Sequence, residues 1–376
     1  MKNMRLLLIT TQFAPELGGV PRLLEQYCAH RPADVEVRVL SVQQQSPEFY
    51  AAYDRATAYL IERVAASDIK GITSLRVLAR LWQTIRAWRP DVILCGVAYP
   101  SVIVTWLITR LTRTPYVSYA HSEDFLPITG LRRRVLGRAL RRAAAVITVS
   151  RFTQQALIDL DIDSARIKVV PPGIELARFA QANGAAAPEA WTLLTVGRLV
   201  LRKGQDTVIR ALPQVIQAVP NVRYIVAGDG PDAEVLRDLA AGLGVADRVV
   251  FAGALTDEAL HDLYHTCDVF VLPTRPAAGE VEGFGIVLLE AGAARKPVIA
   301  GRTGGTPDAV IDDVTGLLID PADVNALAQA IIDLAHNQAK AQRLGAAGHD
   351  RVGAEFSIEL FAERVTHVLK SHEVNS

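Results

Sequence analysis

Two acids bracket the stretch EGFGIVLLE: Glu282 and Glu290, with Gly283 and Gly285 between them. Glycines there let the backbone approach a ligand closely. A helix beginning at about Gly285 would aim its unpaired N–H groups at an anion. Glu290 would then sit one turn after Ile286, on the same face, and Glu282 would stay in the loop before the helix. Neither carboxylate suits a phosphate, because like charges repel. Both can accept hydrogen bonds from hydroxyl groups such as those of sugars and riboses. The spacing predicts an anion cradle between two hydroxyl-binding acids. The plainer alternative is that Glu290 only favours the helix N-terminus electrostatically.

Arg198 and Lys203, five apart in TVGRLVLRKGQD, follow a predicted strand and flank a turn. Two cations at a strand's carboxyl end suit a diphosphate, although composition alone favours two solvated surface cations. In TTQFAPELGGVPRLL, Gly18 and Gly19 precede a predicted helix, and their N–H groups could meet an anion. The chain contains neither GxxxxGK[ST] nor a GxGxxG in its first strand–helix turn, which argues against a P-loop and a dinucleotide dehydrogenase. Asp161 and Asp163 have D-x-D spacing but fall in a polar turn. His261 and His265 are four apart in HDLYH with no third ligand at a suitable spacing, so no metal site is expected. Trp82 and Trp88 alternate with leucines at helical spacing and read as core.

The elements that must position these residues follow from length and pattern. A chain of 376 residues suits two domains. Short β-branched runs (RLLLIT, VEVRVL, DVILCG, PYVSYA, AAVITVS, then WTLLTVG, VRYIVAG, RVVFAG, VFVLP, PVIAG) alternate with helical patterns. This implies parallel sheets flanked by helices, twice. Pro171, Pro172, Gly173 and the polar AQANGAAAPEA place a hinge at about 171–190, giving domains at 1–172 and 173–357 and a terminal helix within 358–376. Residues 41–70 form an unusually long connection to which no ligand is assigned. Net charge is zero, yet residues 1–172 hold 23 Lys and Arg against 14 Asp and Glu, and the remainder is correspondingly acidic. That asymmetry points to an anionic neighbour for the first half. The three cysteines are scattered and give no disulfide framework, which suits a reducing compartment. The N-terminal apolar run is too short for a signal peptide, and VAYPSVIVTWLIT is too short to span a bilayer.

In this order, GRLVLRKG, VAGDGP, VFAGALTDEALHDLY, CDVFVLPT and EGFGIVLLEAGA resemble the retaining glycosyltransferases of family 4. Glu282 and Glu290 match that family's E-x7-E motif, PELGGV its glycine loop, AHSED its His-centred loop, and VSRFT with PPGIE its hinge region. The wording VEGFGIVLLEA…PVIAGRTGGTPDAV is most similar to bacterial lipid mannosyltransferases. The resemblance implies the α/β GT-B fold: two Rossmann-like, doubly wound parallel-sheet domains facing a central cleft, the first binding acceptor and the second donor. It implies that Arg198 and Lys203 bind the donor diphosphate, and that the Gly283–Ile286 backbone, through Phe284 and Gly285, holds phosphate and sugar. Glu282 would take sugar hydroxyls, Glu290 the ribose, and Gly19 the diphosphate from the opposite domain. His121 would lie by the transferred sugar, with Glu123 and Asp124 in acceptor or loop contacts. No metal or other cofactor is implied, because the cations and a helix N-terminus can stabilise the leaving diphosphate. Arg295 stands where the family often has Gly, which puts a left-handed helix end in doubt.

LRRRVLGRALRRAAA places Arg132, Arg133, Arg134, Arg138, Arg141 and Arg142 on a short helix, with Leu131, Val135, Leu136 and Leu140 as its apolar side. It reads either as a contact with an anionic membrane or as an ordinary charged face; the basic first half favours the membrane. No nucleic-acid-reading pattern is present. The expected protein is a retaining hexosyltransferase, with GDP-mannose and a lipid-linked or glycan acceptor favoured, cytoplasmic and peripheral at the inner membrane face. UDP-glucose or UDP-N-acetylglucosamine as donor is the first alternative. A non-catalytic nucleotide-sugar-binding protein is the second.

Overall fold

The computed structural model describes residues 3–67, 71–179 and 190–373; most of the predicted linker AQANGAAAPEA lies outside them. The chain divides into two compact units, Met1–Gly173 with Ile358–Ser376, and Ile174–Ser357.

The first unit is built on seven parallel strands: β1 (Met4–Thr10), β2 (Val35–Gln43), β3 (Leu60–Ala65), β4 (Val92–Cys95), β5 (Tyr116–Ala120), β6 (Ala145–Thr148) and β7 (Ile167–Val169). Their order is β3-β2-β1-β4-β5-β6-β7, so the winding reverses between β1 and β4, the topological switch point. Apart from Arg5 near the start of β1, the central strands are buried, as parallel strands covered on both faces must be. The edge strand β3 and the short β7 lay outside the predicted runs; β3 falls within the long connection after β2. The helix Ile358–Lys370 packs on Gly19–His30, where Tyr27 bonds Thr366 at 3.2 Å and meets Phe361 edge-on.

The second unit has six parallel strands: β8 (Trp191–Val196), β9 (Val222–Ala227), β10 (Val249–Gly253), β11 (Val269–Leu272), β12 (Val298–Gly301) and β13 (Leu317–Ile319), ordered β10-β9-β8-β11-β12-β13. The winding reverses between β8 and β11. The turns after these two strands therefore lie side by side, and they carry the predicted donor residues. Arg295 adopts the left-handed conformation despite its side chain, with φ 61° after the helix Ile286–Ala293. Its N–H bonds Gly292 O at 2.8 Å and that of Lys296 bonds Ala291 O at 2.9 Å, so the helix ends as it would with glycine. The doubt raised by its identity is thereby removed.

Candidate active site

In the second unit, Glu282 leaves β11 on a long loop and meets the turn that follows β8. Its Oε2 accepts from Lys203 Nζ at 2.6 Å and from Arg202 Nη1 at 2.9 Å. Burial alone would raise the Glu282 carboxyl, but the Lys203 and Arg202 charges outweigh that and hold it below its ordinary range. Lys203 shares Glu282 with Arg202, only 5% exposed, which the spacing does not single out; Arg198 lies exposed in the same turn. The short 3-10 turn Leu201–Lys203 rotates Arg202 inward. Arg275 locks the two turns together: its N–H bonds Arg202 O at 2.9 Å, and its guanidinium bonds both Asp206 oxygens at 2.8 Å.

A third loop supports Glu282 from behind. Gly305 N–H donates to Glu282 O at 2.9 Å. A Cβ on Gly304 would lie 2.3 Å from that same oxygen, so only glycine permits this approach. Past Glu282, Gly285 takes φ 89° and starts the helix Ile286–Ala293 with no side-chain cap. The helix start expected at Gly285 is where the chain places it. The Phe284 ring is buried edge-on against Phe356 at 5.9 Å, which leaves its backbone to meet a ligand. Glu290 is buried on the helix and accepts from Tyr264 O–H at 2.7 Å. Tyr264, on the helix Asp257–Thr266, also contacts the Phe179 and Phe270 rings. Of the histidines four apart on that helix, His261 packs on Phe179. Asp163 caps a turn through Ala165 N–H and Asp161 sits at φ 59°, a turn geometry as read.

The first unit's site residues are assembled differently. Gly18 precedes the helix Gly19–His30 at φ 147°, and a Cβ on Gly19 would meet nothing within 4 Å. His121, at the end of β5, is buried. It stacks flat on Tyr119 with centroids 4.8 Å apart, and its Nε2 lies 3.1 Å from Gly96 O. A carbonyl can only accept, so that nitrogen carries the proton. Burial pushes the His121 pKa down to about 4, leaving the ring neutral at physiological pH. Asp124 ties two loops together, Oδ2 accepting from Ala98 N–H at 2.5 Å and Oδ1 from His121 N–H at 2.8 Å. Loss of surrounding water raises the Asp124 carboxyl against the pull of those donors. Glu123 is exposed.

The first unit also has a cavity of about 430 Å3 at the carboxyl ends of β1, β2 and β3. Thr10, Thr11, Gln44, Thr73, Ser74 and Ser101 line it together with Ile9, Val42, Val77, Val104, Ala66 and Pro100, and none of these side chains is charged.

The basic helix spans Gly130–Leu140 and buries Leu136, Gly137, Ala139 and Leu140. Arg132, Arg134 and Arg138 are exposed, Arg133 is half-buried, and Arg142 lies exposed beyond the helix end. Leu131 is 75% exposed, and Arg141, also exposed, donates to Leu160 O at 3.0 Å. No helix among the described residues is long and apolar enough to cross a membrane.

Comparison with known proteins gives this geometry a class. Residues 17–178 match the family described as Glycosyltransferase Family 4, and residues 178–351 match Glycosyl transferases group 1. The chain is 32% identical over 357 residues to the GDP-mannose-dependent alpha-(1-6)-phosphatidylinositol monomannoside mannosyltransferase of Mycolicibacterium smegmatis, covering 91% of this chain and 92% of that one. It is 30% identical to the GDP-mannose-dependent monoacylated alpha-(1-6)-phosphatidylinositol monomannoside mannosyltransferase of Corynebacterium glutamicum, over 97% of each chain. The crystal structure of Anabaena HepE in complex with UDP-glucose superposes with a TM-score of 0.82 at 22% identity, over 98% of this chain and 100% of that one. Two Rossmann-like units of this topology, matched over nearly the whole length, have the GT-B fold. The chain belongs to glycosyltransferase family 4.

Proposed function

We propose that this enzyme transfers mannose from GDP-mannose, with retention of configuration, to a hydroxyl of a lipid-linked acceptor. The observation that carries the site assignment is the Glu282–Lys203–Arg202 cluster at the switch point of the second sheet, directly before an uncapped helix start. Whole-length similarity to GDP-mannose-dependent enzymes favours this base and sugar.

In this reading the donor diphosphate lies against the Gly285 helix start, Lys203 and Arg198, with Gly18 and Gly19 N–H groups as further donors. Lys203 has three N–H donors, so it can keep Glu282 while binding phosphate. Glu282 accepts from sugar hydroxyls and Glu290 from the ribose. These cations balance the charge that develops as the bond from the anomeric carbon to the phosphate oxygen breaks, so no metal is required. The acceptor oxygen attacks from the same face and its proton passes to the departing phosphate. His121, neutral and committed through Nε2, shapes the site without transferring that proton. The uncharged cavity at Ser101 and Thr10 takes the acceptor's hydroxylated head.

A lipid acceptor agrees with the first unit's surface. Leu131 with Arg132, Arg134 and Arg138, and Leu107 and Leu111 on the neighbouring helix Ser101–Thr112, are all exposed. Each cation near an anionic bilayer contributes about 1 kcal/mol. Replacing Arg132, Arg133 and Arg134 by Ser weakens sedimentation with anionic liposomes while leaving donor binding intact; unchanged sedimentation returns the helix to an ordinary charged face. A donor screen with a released-nucleotide readout, run with and without EDTA, tests the reaction. Tighter binding of UDP than GDP would favour the second reading, a UDP-sugar donor, which the UDP-glucose complex of HepE keeps open.

A further inference from the structure

The long connection after β2 is tied at several points to the loop before Gly18. Gln44 Nε2 donates to Thr11 O at 3.0 Å. Tyr50, on the helix Pro47–Ala56, donates its hydroxyl to Glu16 Oε1 at 2.6 Å, and the same hydroxyl accepts from Gln44 and Gln45 N–H at 3.1 and 3.2 Å. Arg63, on β3, donates Nη2 to Ala14 O at 2.6 Å and pairs with both Asp54 oxygens. Its guanidinium lies 4.1 Å over the Tyr50 ring and 6.0 Å from the Phe13 ring. Phe13 is fully buried and meets Tyr59 edge-on. The loop is thus fixed along its stem, residues 11–16. Its tip faces open space: Leu17 is 91% exposed, and a Cβ on Gly19 would meet nothing within 4 Å.

We propose that Arg63 and Tyr50 are positioning residues that hold the stem of the glycine loop so that the Gly18 and Gly19 N–H groups are presented in one fixed arrangement to the donor's phosphates. This rests on the proposed phosphate role of that loop. The connection between β2 and β3 is then a brace rather than a ligand-binding insertion. Neither residue touches the reacting atoms. Both act through Ala14 and Glu16, two to four residues ahead of Gly18. The fit is physical: hydrogen bonds to charged groups are the stronger ones, and Arg63 uses a bidentate pair to aim a third N–H at a backbone carbonyl. Burial keeps the Tyr50 hydroxyl protonated, as a donor to Glu16 must be.

Tyr50→Phe keeps the ring beneath Arg63 and deletes only the hydroxyl with its bonds to Glu16, Gln44 and Gln45, which makes it the decisive variant. Amide hydrogen exchange of the full chain, without ligand, is expected to speed up over residues 13–19 in Tyr50→Phe and in Arg63→Met. Turnover of GDP-mannose, read as released GDP, falls about tenfold in kcat, with the donor KM within twofold, and in Tyr50→Phe a cooperative melting transition shows that the fold is retained. Glu16→Gln, whose amide oxygen still accepts from Tyr50, stays near wild type. Unchanged exchange over residues 13–19 in Tyr50→Phe overturns the brace itself, even if Arg63→Met does not fold. Faster exchange with wild-type kcat overturns the proposal differently, by removing the loop's role toward phosphate. A matched loss of stability and activity in Glu16→Gln would also overturn it, since that bond survives there.

Discussion

Glu282 and Asp124 are carboxylates withdrawn from water at the carboxyl ends of two parallel sheets, one in each unit, and their surroundings push them in opposite directions. Glu282 meets two cations and is held ionised. Asp124 meets only backbone N–H groups and is raised toward the neutral acid. The same contrast extends around each site. The second unit gathers Arg202, Lys203 and Arg275 at its switch point, whereas the first offers a neutral imidazole and a cavity without a charged side chain. Two sheets of similar winding thus carry opposite electrostatic designs, which the proposed function reads as one for a charged leaving group and one for an uncharged hydroxyl-bearing partner.

The largest effects are expected where the charges meet. Lys203→Ala should lower transfer by roughly 10²- to 10³-fold, the scale of losing one preorganised stabiliser of developing charge. Arg202 remains on Glu282 in that variant, so the fold is retained. Glu282→Gln differs, because it leaves Arg202 and Lys203 facing an amide. Breaking a buried pair from one side costs about 3–5 kcal/mol, so this variant loses stability as well as activity. Urea denaturation beside a released-nucleotide assay separates the two losses. Wild-type stability in Glu282→Gln would mean that the cluster is solvated and that the contrast with Asp124 is false.

The next test is the neutrality of His121. Its folded pKa lies near 4, below the ordinary 6.5. Between those values the unfolded chain binds a proton that the native state does not, so stability falls as pH drops from 6.5 to 4. The loss reaches about 3 kcal/mol at the acid end. His121→Gln keeps an N–H for Gly96 O and removes the titration. Its denaturation midpoint should depend less on pH over that window than wild type's. Parallel profiles would place a charged imidazole in the first unit.

Some of this was legible in the sequence, and the reasons for the rest are specific. The helix start at Gly285, with Glu282 in the loop before it and Glu290 on the helix, follows from local spacing and glycine chemistry. The winding follows from alternating apolar runs. Arg202 was not legible, because in GRLVLRKG three cations stand close together and only the turn Leu201–Lys203 decides which one points inward. Strand β3 was missed because an edge strand is half solvated, and LIERVA carries charges where a core strand of this sheet would be apolar. Tyr264 was hidden by distance, since it meets Glu290 across 26 residues and nothing near either position announces the pairing.

Tyr264→Phe measures that hidden contact. It removes one hydroxyl donor to a buried carboxylate and leaves the ring packed on Phe179 and Phe270. A hydrogen bond to a charged group contributes about 1.5–3 kcal/mol, so a loss of about 2 kcal/mol by chemical denaturation is expected. Weaker binding of GDP should accompany it if Glu290 receives the ribose. Unchanged stability with unchanged GDP affinity would remove Glu290 from the charged site and narrow the difference between the units.

Asp124→Asn gives the smallest effect and the sharpest reading of the comparison. The amide keeps one oxygen for Ala98 or His121 N–H and turns an NH2 toward the other, so it should cost about 1–2 kcal/mol near pH 5. The raised pKa sets the pH dependence. Native Asp124 holds its proton above the pH at which the unfolded side chain releases it, so its contribution is fully present below about pH 4 and is lost as pH rises through the folded value. Asparagine does not titrate, and the stability gap between variant and wild type should therefore shrink from pH 5 to pH 8. Measured by urea denaturation across that range, a gap that widens would show that the two N–H donors hold Asp124 ionised. Both units would then carry a fixed negative charge at the carboxyl end of the sheet, and the hydroxyl-bearing partner would meet an anion instead of a neutral acid.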